Sequence, residues 1–429
     1  MCKRLQLFLF ILFSGWLAAC GPGTSHGAAP EGTASWKIGT PIVTYWAGPA
    51  MTDATAAQMA EGGWNLVWCQ EQELDVAQRH GLRAMLVAPD LIAPATLDNP
   101  DKLRQLDALI ERVAKHPALY CYFITDEPGA SAFPALGKLV GHLRARDPSH
   151  MAYINLFPTY ASNEQLGTKG DTVGAYAEHL RQFVQTVKPE LISYDHYQFA
   201  TDGDLDGYFL NLAMIREASQ AAGVPFLNIV QACSWTPVRR VPKGDEMRYL
   251  LYTSLAYGAQ GISYYVYCCA GHTGGIANPD GTPTALYDAL RSLNREFVAV
   301  ADELGELKSV GAYHLGMLPA GAIPLPPEAP FRLDPPLPEM PYQNLQRVRG
   351  AVLGFFGDPT DRTDPSPPTH VLVVNLDYEQ PLETSLVAAG RLESFDATTK
   401  AWSVAGRERA ALHLPPGGGQ LFRTAAAKN

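Results

Sequence analysis

The feature that most constrains the fold is an eightfold alternation between short apolar segments and longer amphipathic segments, which begins near residue 40. The apolar segments carry few charged residues, which is typical of parallel strands that are covered on both faces. They span residues 41–46, 64–69, 83–88, 119–125, 151–157, 191–197, 226–233 and 261–267. Eight such strands predict either an open doubly wound sheet or a closed barrel.

The segments between the predicted strands have helical periodicity. One face of a predicted helix carries Leu103, Leu106, Leu109, Ile110 and Val113, and the segments end at typical helix stops such as His80-Gly81. A doubly wound sheet that binds a nucleotide would carry a glycine-rich phosphate loop after its first strand, and this sequence has none. The sequence therefore predicts an α/β fold, a (β/α)8 TIM barrel over residues 36–310.

The composition changes after the eighth predicted helix, at residues 284–307. A proline-rich connection at 318–341 leads to short strand-like segments at 352–356, 370–375, 392–395 and 420–423, which are separated by Gly, Pro and Asp. This pattern predicts a second domain at residues 311–429, a small β-sandwich.

The amino terminus has the order of an export signal. Lys3 and Arg4 precede an apolar segment, 5–17, that is short for a membrane span. Leu17-Ala18-Ala19-Cys20 resembles the lipobox of bacterial lipoproteins, in which the cysteine receives acyl chains. We therefore expect a signal peptide at 1–19, lipidation of Cys20, a flexible tether at 20–35, and a cell-envelope location at the outer membrane or facing the periplasm.

Composition excludes several functions. The net charge of −10 and the absence of a basic cluster argue against nucleic acid as a partner. The remaining cysteines, at 69, 121, 233, 268 and 269, lack both the regular spacing of a disulfide framework and the spacing of a zinc site. We expect them to be small buried side chains, and we expect neither a metal nor another cofactor.

In a (β/α)8 barrel, catalytic groups follow the carboxyl ends of the strands. The fourth strand is apolar and ends in Asp126-Glu127-Pro128. A partly desolvated glutamic acid keeps its proton near neutral pH and can donate it to a glycosidic oxygen. Glu127 is therefore the candidate proton donor; the alternative is an acid that only complements the dipole of the next helix.

A lipoprotein barrel with an acidic pair after strand four and a β-sandwich behind it resembles the clan A glycoside hydrolases, particularly the β-galactosidase-like members. The resemblance implies that Glu127 is the acid/base, although Asp126 stands where the clan has Asn. It also implies a glutamate nucleophile after strand seven, but that strand ends Gln231-Ala232-Cys233. The nucleophile therefore cannot be assigned from the resemblance.

Strand six supplies the second candidate, because it ends Tyr194-Asp195-His196-Tyr197. Asp195 is predicted to act as nucleophile, general base or substrate-orienting group. The Asp-Glu and Tyr-Asp endings are also similar to those of chitinase-like and hexosaminidase-like barrels, in which the acetamido group of the substrate is the nucleophile.

Further side chains at the strand ends are predicted to bind the substrate. They are Asp126, Asn155, Tyr194, His196, Tyr197, Gln231, Trp235, Tyr265, Tyr267 and Glu71. The sequence thus predicts hydrolysis of an oligo- or polysaccharide at the cell envelope by paired carboxylates. The alternative from another class is a non-catalytic carbohydrate-binding lipoprotein that retains the barrel, and a polysaccharide lyase is a weaker third possibility.

Overall fold

The computed structural model describes residues 41–269, 271–360 and 367–425. The predicted signal peptide, the predicted lipidation site at Cys20 and the predicted tether lie outside these residues. Within them, one eight-stranded parallel sheet is followed by a second, mainly antiparallel sheet. Among the described helices, none combines the length and the apolar character needed to cross a membrane.

The first sheet is the predicted barrel, and it confirms all eight predicted strands. Its strands are β1 (Ile42–Trp46), β2 (Leu66–Cys69), β3 (Arg83–Leu86), β4 (Leu119–Asp126), β5 (Met151–Leu156), β6 (Ile192–His196), β7 (Phe226–Gln231) and β8 (Gly261–Tyr265). From β2 to β8 each strand pairs in parallel with the next one in the chain, and β8 pairs in parallel with β1. This is the strand order of a (β/α)8 barrel.

The barrel closes between β1 and β2 mainly through the side chain of Asn65. Its backbone N–H donates to the carbonyl of Val43, at 3.0 Å, while its Oδ1 accepts from the N–H of Val43, at 2.9 Å. Its Nδ2 donates to the carbonyl of Pro41. The asparagine thus satisfies backbone groups that a longer strand ladder would otherwise pair.

Helices cover the outside of the barrel. They are α1 (Asp53–Glu61), α2 (Leu74–Arg79), α3 (Pro100–Val113), α4 (Phe133–Arg146), α5 (Asn163–Leu166), α6 (Thr172–Val187), α7 (Tyr208–Ala222), α8 (Gly244–Ala256) and α9 (Ala285–Gly305). The predicted face of α3 is buried except at Leu103, which is half-buried in the first turn of the helix. The connection after β2 is short, because α2 has less than two turns.

Alternation along each strand separates two layers of core. Residues such as Met85, Tyr153 and Ile229 point into the barrel and pack together there. Their neighbours in sequence point outwards and join a larger cluster formed with the helices, of which Tyr194 and Val230 are examples. Residues at the carboxyl ends of the strands therefore face the barrel mouth only when they share the parity of the interior residues.

The carboxyl-terminal part is β-rich, as predicted. Its strands are β9 (Lys308–Gly316), β10 (Ile323–Pro324), β11 (Phe331–Leu333), β12 (Gly350–Gly357), β13 (Pro368–Asn375), β14 (Leu382–Asp396), β15 (Ala401–Leu414) and β16 (Gly419–Ala425). They hydrogen-bond into one continuous sheet that curves around its own core. The long hairpin of β14 and β15 was only partly predicted, because β15 alternates small and charged residues.

The other face of this sheet packs on the barrel. Val352 and Phe356 of β12 belong to the same buried cluster as Leu255 and Ala256 of α8. Gly354 lies at this contact, where an added Cβ atom would come within 2.2 Å of the carbonyl oxygen of Ala256. A glycine is thus needed for the sheet to approach the helix this closely.

The cysteines depart from the prediction at one place. Cys69, Cys121 and Cys233 are free and buried, as expected, but Cys268 and Cys269 form a disulfide between neighbours in the sequence. Spacing rules for disulfides concern residues that are distant in the chain, so they do not detect a bond between adjacent cysteines.

Candidate active site

The end of β4 has an irregularity that determines which acid faces the barrel interior. Phe123 pairs with Tyr153 of β5, but Thr125 pairs with Ile154, so that Ile124 is an extra residue. A regular alternation from Phe123 would have placed Thr125 inside. The bulge places Asp126 there instead, opposite Asn155 of β5.

Glu127 follows with a left-handed backbone. Its φ is +45°, which is uncommon for a residue other than glycine, and its N–H donates to the carbonyl of Asn155 at 2.9 Å. This hydrogen bond continues the contact with β5 while the chain turns towards Pro128. Backbone strain of this kind persists where the surrounding structure enforces it, often at functional sites.

Asn155 joins the two predicted acidic strand ends. Its Nδ2 donates to Oδ1 of Asp126 at 3.0 Å and to Oδ1 of Asp195 at 2.9 Å. Its Oδ1 accepts from the hydroxyl of Ser193, at 2.9 Å, and the hydroxyl of Tyr153 lies 2.8 Å from Ser193 Oγ. Because one nitrogen serves both carboxyl groups, their bonded oxygens lie within about 6 Å of each other.

Asp195 is the buried member of this group. Only 3% of the residue is exposed. Burial raises the pKa of its carboxyl well above the ordinary range, the nearby Glu127 and Asp126 raise it further, and the hydrogen bond from Asn155 opposes them. Asp195 therefore holds a proton under conditions in which a solvent-exposed aspartate would be ionised.

Asp126 is more accessible than Asp195. Its side chain reaches solvent, but protein atoms surround it, and the resulting desolvation raises its pKa to about 6, against the hydrogen bonds from Asn155 and from the backbone of Glu127. Asp126 is thus mainly ionised at pH 7, whereas the burial of Asp195 favours its protonated form. The environment separates the two aspartates into a base and an acid.

Three of the predicted aromatic residues form a group at the mouth. The ring centroid of Trp235 lies 4.8 Å from that of Tyr197 and 5.2 Å from that of Tyr265, and the latter two rings are 5.2 Å apart. His272, which was not predicted as a site residue, shares a hydrogen bond with Tyr265: its Nε2 lies 2.9 Å from the tyrosine hydroxyl oxygen. Partly exposed rings of this kind can stack on the apolar faces of sugars.

Two other residues of the mouth were missed, Tyr160 and Arg239. Tyr160 follows β5 and is 48% exposed; desolvation by the surrounding protein raises its pKa, and the nearby carboxyl groups of Asp195 and Glu127 add to this shift. Arg239 lies in the loop after β7, close to Tyr160 and Trp235. An aromatic residue shortly after Asn155 was a usable signal for Tyr160, whereas nothing in the sequence singled out Arg239.

Tyr194 and His196 were predicted to bind substrate, but the structure places them in the outer layer. Both flank Asp195 in β6, so they point towards the helices when Asp195 points inwards. His196 is 1% exposed, and its Nδ1 lies 3.0 Å from Oδ1 of Asn211 in α7. It therefore contacts a helix rather than the space at the barrel mouth.

Gln231 and Tyr267 are also occupied by structural contacts. The amide of Gln231 bonds the backbone of Phe199, in both directions, and the carbonyl of Arg240. Tyr267 is fully buried, and its hydroxyl donates to Oε1 of Gln58 in α1 at 2.9 Å. These polar groups hold loops and helices against the barrel.

Glu71, which was predicted to bind the substrate, is not part of the cluster formed by Asp126, Glu127 and Asp195. It accepts two hydrogen bonds from the guanidinium of Arg112 in α3, at 2.6 and 2.9 Å, and this pair lowers its pKa. Within the described part of the chain, no group of His, Cys, Asp and Glu side chains has an arrangement suited to a metal ion. The chemistry offered by the described residues is therefore that of carboxyl groups, aromatic rings and one cation.

Solved structures share the architecture of this chain. One described as a glycoside hydrolase aligns over 90% of this chain and 92% of its own, with a TM-score of 0.54 and 13% identity. A family 5 glycoside hydrolase from Bacteroides vulgatus aligns over 91% of this chain and 90% of its own, with a TM-score of 0.53 and 13% identity.

The fold is that of known glycoside hydrolases. It extends over both the barrel and the C-terminal sheet, because the alignments cover nine tenths of each chain. No protein-family model and no curated protein sequence matches this chain. The predicted fold is thus confirmed, and because one fold can host many activities, the chemistry of the site decides the function.

Proposed function

We propose that the protein hydrolyses a glycosidic bond, with Glu127 as the proton donor. The observation that carries the proposal is the cluster of three acidic side chains at the ends of β4 and β6. Asp126, Glu127 and Asp195 lie together there around Asn155. Burying several carboxyl groups together costs stability, so a structural role alone does not account for them. Aromatic rings beside them offer a surface for a sugar.

The two aspartates take different parts in this proposal. Glu127 donates its proton to the glycosidic oxygen as the bond from that oxygen to the anomeric carbon breaks. Asp126, ionised at neutral pH, takes a proton from the water that forms the new bond at that carbon. Asp195 keeps its proton and orients the sugar by hydrogen bonding, which is one of the three roles that the sequence allowed.

The test is turnover of a panel of aryl glycosides by the full-length chain and three variants. Glu127→Gln and Asp126→Asn should each lower kcat by at least a factor of about 100. Asp195→Asn resembles the protonated acid in shape and charge, so it should retain much of the activity. If Asp195 is instead an ionised nucleophile, this variant will be as inactive as Glu127→Gln.

A control variant separates these effects from a general loss of folding. Glu61→Gln changes an exposed carboxylate at the end of α1, which pairs with Arg291. It should leave kcat and KM unchanged. Activity that is equal in all five proteins would contradict the proposal. Glycan binding without turnover in the wild type would favour the carbohydrate-binding alternative.

A second candidate mechanism uses an acetamido group of the substrate as the nucleophile. The specific observation in its favour is the burial of Asp195, which raises the pKa of its carboxyl and so disfavours an ionised nucleophile on β6. The acetamido oxygen would attack the anomeric carbon as the bond to the glycosidic oxygen breaks and Glu127 protonates that oxygen, while Asp126 accepts a hydrogen bond from the acetamido N–H. Water would then attack the anomeric carbon, transfer a proton to Glu127 and release the acetamido group. Turnover of 2-acetamido aryl glycosides, with none of their 2-hydroxy counterparts, would select this mechanism.

We propose that the protein acts at the cell envelope, anchored by acyl chains on Cys20. The proposal is supported by the basic residues, apolar segment and lipobox-like sequence that precede Cys20. Metabolic labelling with an alkynyl fatty acid should mark the wild-type protein and not Cys20→Ala. Equal labelling of both, or its absence from both, would contradict the anchor.

A further inference from the structure

Arg239 differs from the other arginine beside it in having no acidic partner. Arg240 donates two hydrogen bonds to the carboxylate of Glu246, at 2.8 and 2.7 Å, and lies 3.8 Å from that of Asp204. Among the described residues, no carboxylate pairs with Arg239, and its Nη1 is buried without a hydrogen-bond partner. A buried guanidinium nitrogen without an acceptor is costly, so an acceptor is expected from outside the chain.

Aromatic rings hold the guanidinium in place. Its central carbon lies 5.9 Å from the ring centroid of Tyr160 and 5.8 Å from that of Trp235. Cation–π attraction of this kind orients the planar group without using its N–H donors. Desolvation also lowers the pKa of Arg239, which indicates a site where pairing with an anion is favourable.

The same rings connect Arg239 to the candidate active site. Trp235 packs on Tyr197 and Tyr265 at the mouth of the barrel. Tyr160 lies close enough to Asp195 and Glu127 for their charges to affect it, and close enough to Arg239 to be affected in the opposite direction. A sugar bound beside the carboxyl groups would thus have the guanidinium within reach of a neighbouring substituent or residue.

The positive charge of Arg239 lies beside the acidic side chains of the candidate active site. The ionised carboxylate of Asp126 repels an anionic ligand, and a cation without an acidic partner at the same mouth offsets this repulsion when the ligand carries negative charge. A guanidinium is planar and offers paired donors, which suit a carboxylate or a sulfate.

From these contacts we infer that Arg239 binds an anionic group of the substrate, so that the protein acts on an acidic glycan. The substituent is a carboxylate, as in a uronic acid, or a sulfate ester, and the two share the chemistry that Arg239 recognises. The inference rests on the proposed function for the position of the sugar. As a binding property, however, it is testable without turnover.

The experiment measures binding by calorimetry to full-length Glu127→Gln, which removes the proton donor and leaves Arg239 in place. The probes are methyl glycosides in the gluco, galacto and manno series, each as the neutral sugar, the 6-carboxylate and the 6-sulfate. At least one anionic probe should bind ten times more tightly than its neutral counterpart. Adding Arg239→Gln should abolish this preference, and Arg239→Lys should keep part of it.

The matched control is Arg332→Gln, which removes an exposed arginine from β11 in the C-terminal sheet. It should leave the preference unchanged. A preference for the 6-sulfate would assign the anion as a sulfate ester, and a preference for the 6-carboxylate would assign it as a uronate. Equal binding of neutral and anionic probes, or a preference that survives in Arg239→Gln, would overturn the inference.

The outcomes also separate this inference from the proposed function. Hydrolysis of neutral aryl glycosides with an unchanged KM in Arg239→Gln would leave the proposed function standing and remove the acidic substrate. Binding of an anionic probe through Arg239, together with the absence of turnover in the wild type, would keep the inference and remove the hydrolase.

Discussion

Asp195 lies buried inside the barrel beside two other carboxyl groups, an arrangement that costs the folded protein stability at neutral pH. The sequence predicted this residue and its neighbours Asp126, Glu127 and Asn155, because polar side chains at the end of apolar strands stand out. The outward orientation of Tyr194 could also have been predicted, since the alternation that turns Asp195 inwards turns Tyr194 outwards. The position of Arg239 could not, because it depends on contacts between loops that are distant in the sequence.

At the residue scale, Asp195→Asn should stabilise the protein at pH 7 by about 1 to 3 kcal/mol. The pKa of Asp195 is raised in the folded state above its ordinary value of 3.8, so the folded state binds the proton more tightly than the unfolded state does. Stability is therefore lost as pH rises from about 4 through the folded-state pKa, and the asparagine avoids this loss.

Urea denaturation at pH 4 and pH 7 checks this expectation. The stabilisation should be small at pH 4, which is close to the ordinary pKa of 3.8 that applies in the unfolded state, and larger at pH 7. A variant that is less stable than the wild type at pH 7 would contradict it, as would a gain that is equal at both values of pH.

At the scale of single elements, β4 and α4 show what periodicity predicts and what it omits. The apolar segments located every barrel strand, because burial on both faces leaves a clear signal. The bulge at Ile124 left no such signal, since one extra residue in an apolar strand does not change its composition. The sequence also did not predict the close packing of α4 on α6, because this packing depends on which glycine of α4 faces α6.

Two glycines of α4, one turn apart, make this last point testable. A Cβ atom on Gly137 would come within 2.4 Å of the carbonyl oxygen of Thr186 in α6, whereas one on Gly141 would have no atom within 4 Å. Gly137→Ala should therefore destabilise the protein by about 1 to 3 kcal/mol, because the helices must separate.

Gly141→Ala is the matched substitution, and it should stabilise the protein by up to about 1 kcal/mol, because alanine favours the helix. Chemical denaturation of both variants gives the two free energies of unfolding. Equal effects of the two substitutions would show that packing against Thr186 does not limit this position.

At the scale of the whole molecule, the C-terminal sheet shares a buried cluster with the helices of the barrel. The sequence predicted that a β-rich module follows the barrel, because the composition changes sharply after α9. It did not predict which face of the module meets the barrel, since β12 and β13 are apolar on both faces.

Gly354→Ala tests the contact between the two parts. The added methyl group would meet the carbonyl of Ala256 in α8, so we expect a loss of about 1 to 3 kcal/mol in the free energy of unfolding. Because the cluster is shared, calorimetry of the wild type should show one transition. Two separate transitions, of which Gly354→Ala shifts only one, would show that the parts unfold independently.

The bulge in β4 has a consequence for recognising distant relatives. A relative whose fourth strand lacks the extra residue would need one residue fewer to present the same aspartate to the barrel interior. A search pattern that fixes the number of positions between the start of this strand and the acidic pair would miss such a relative. A pattern that tolerates a gap of one position before Asp126-Glu127 would find both forms.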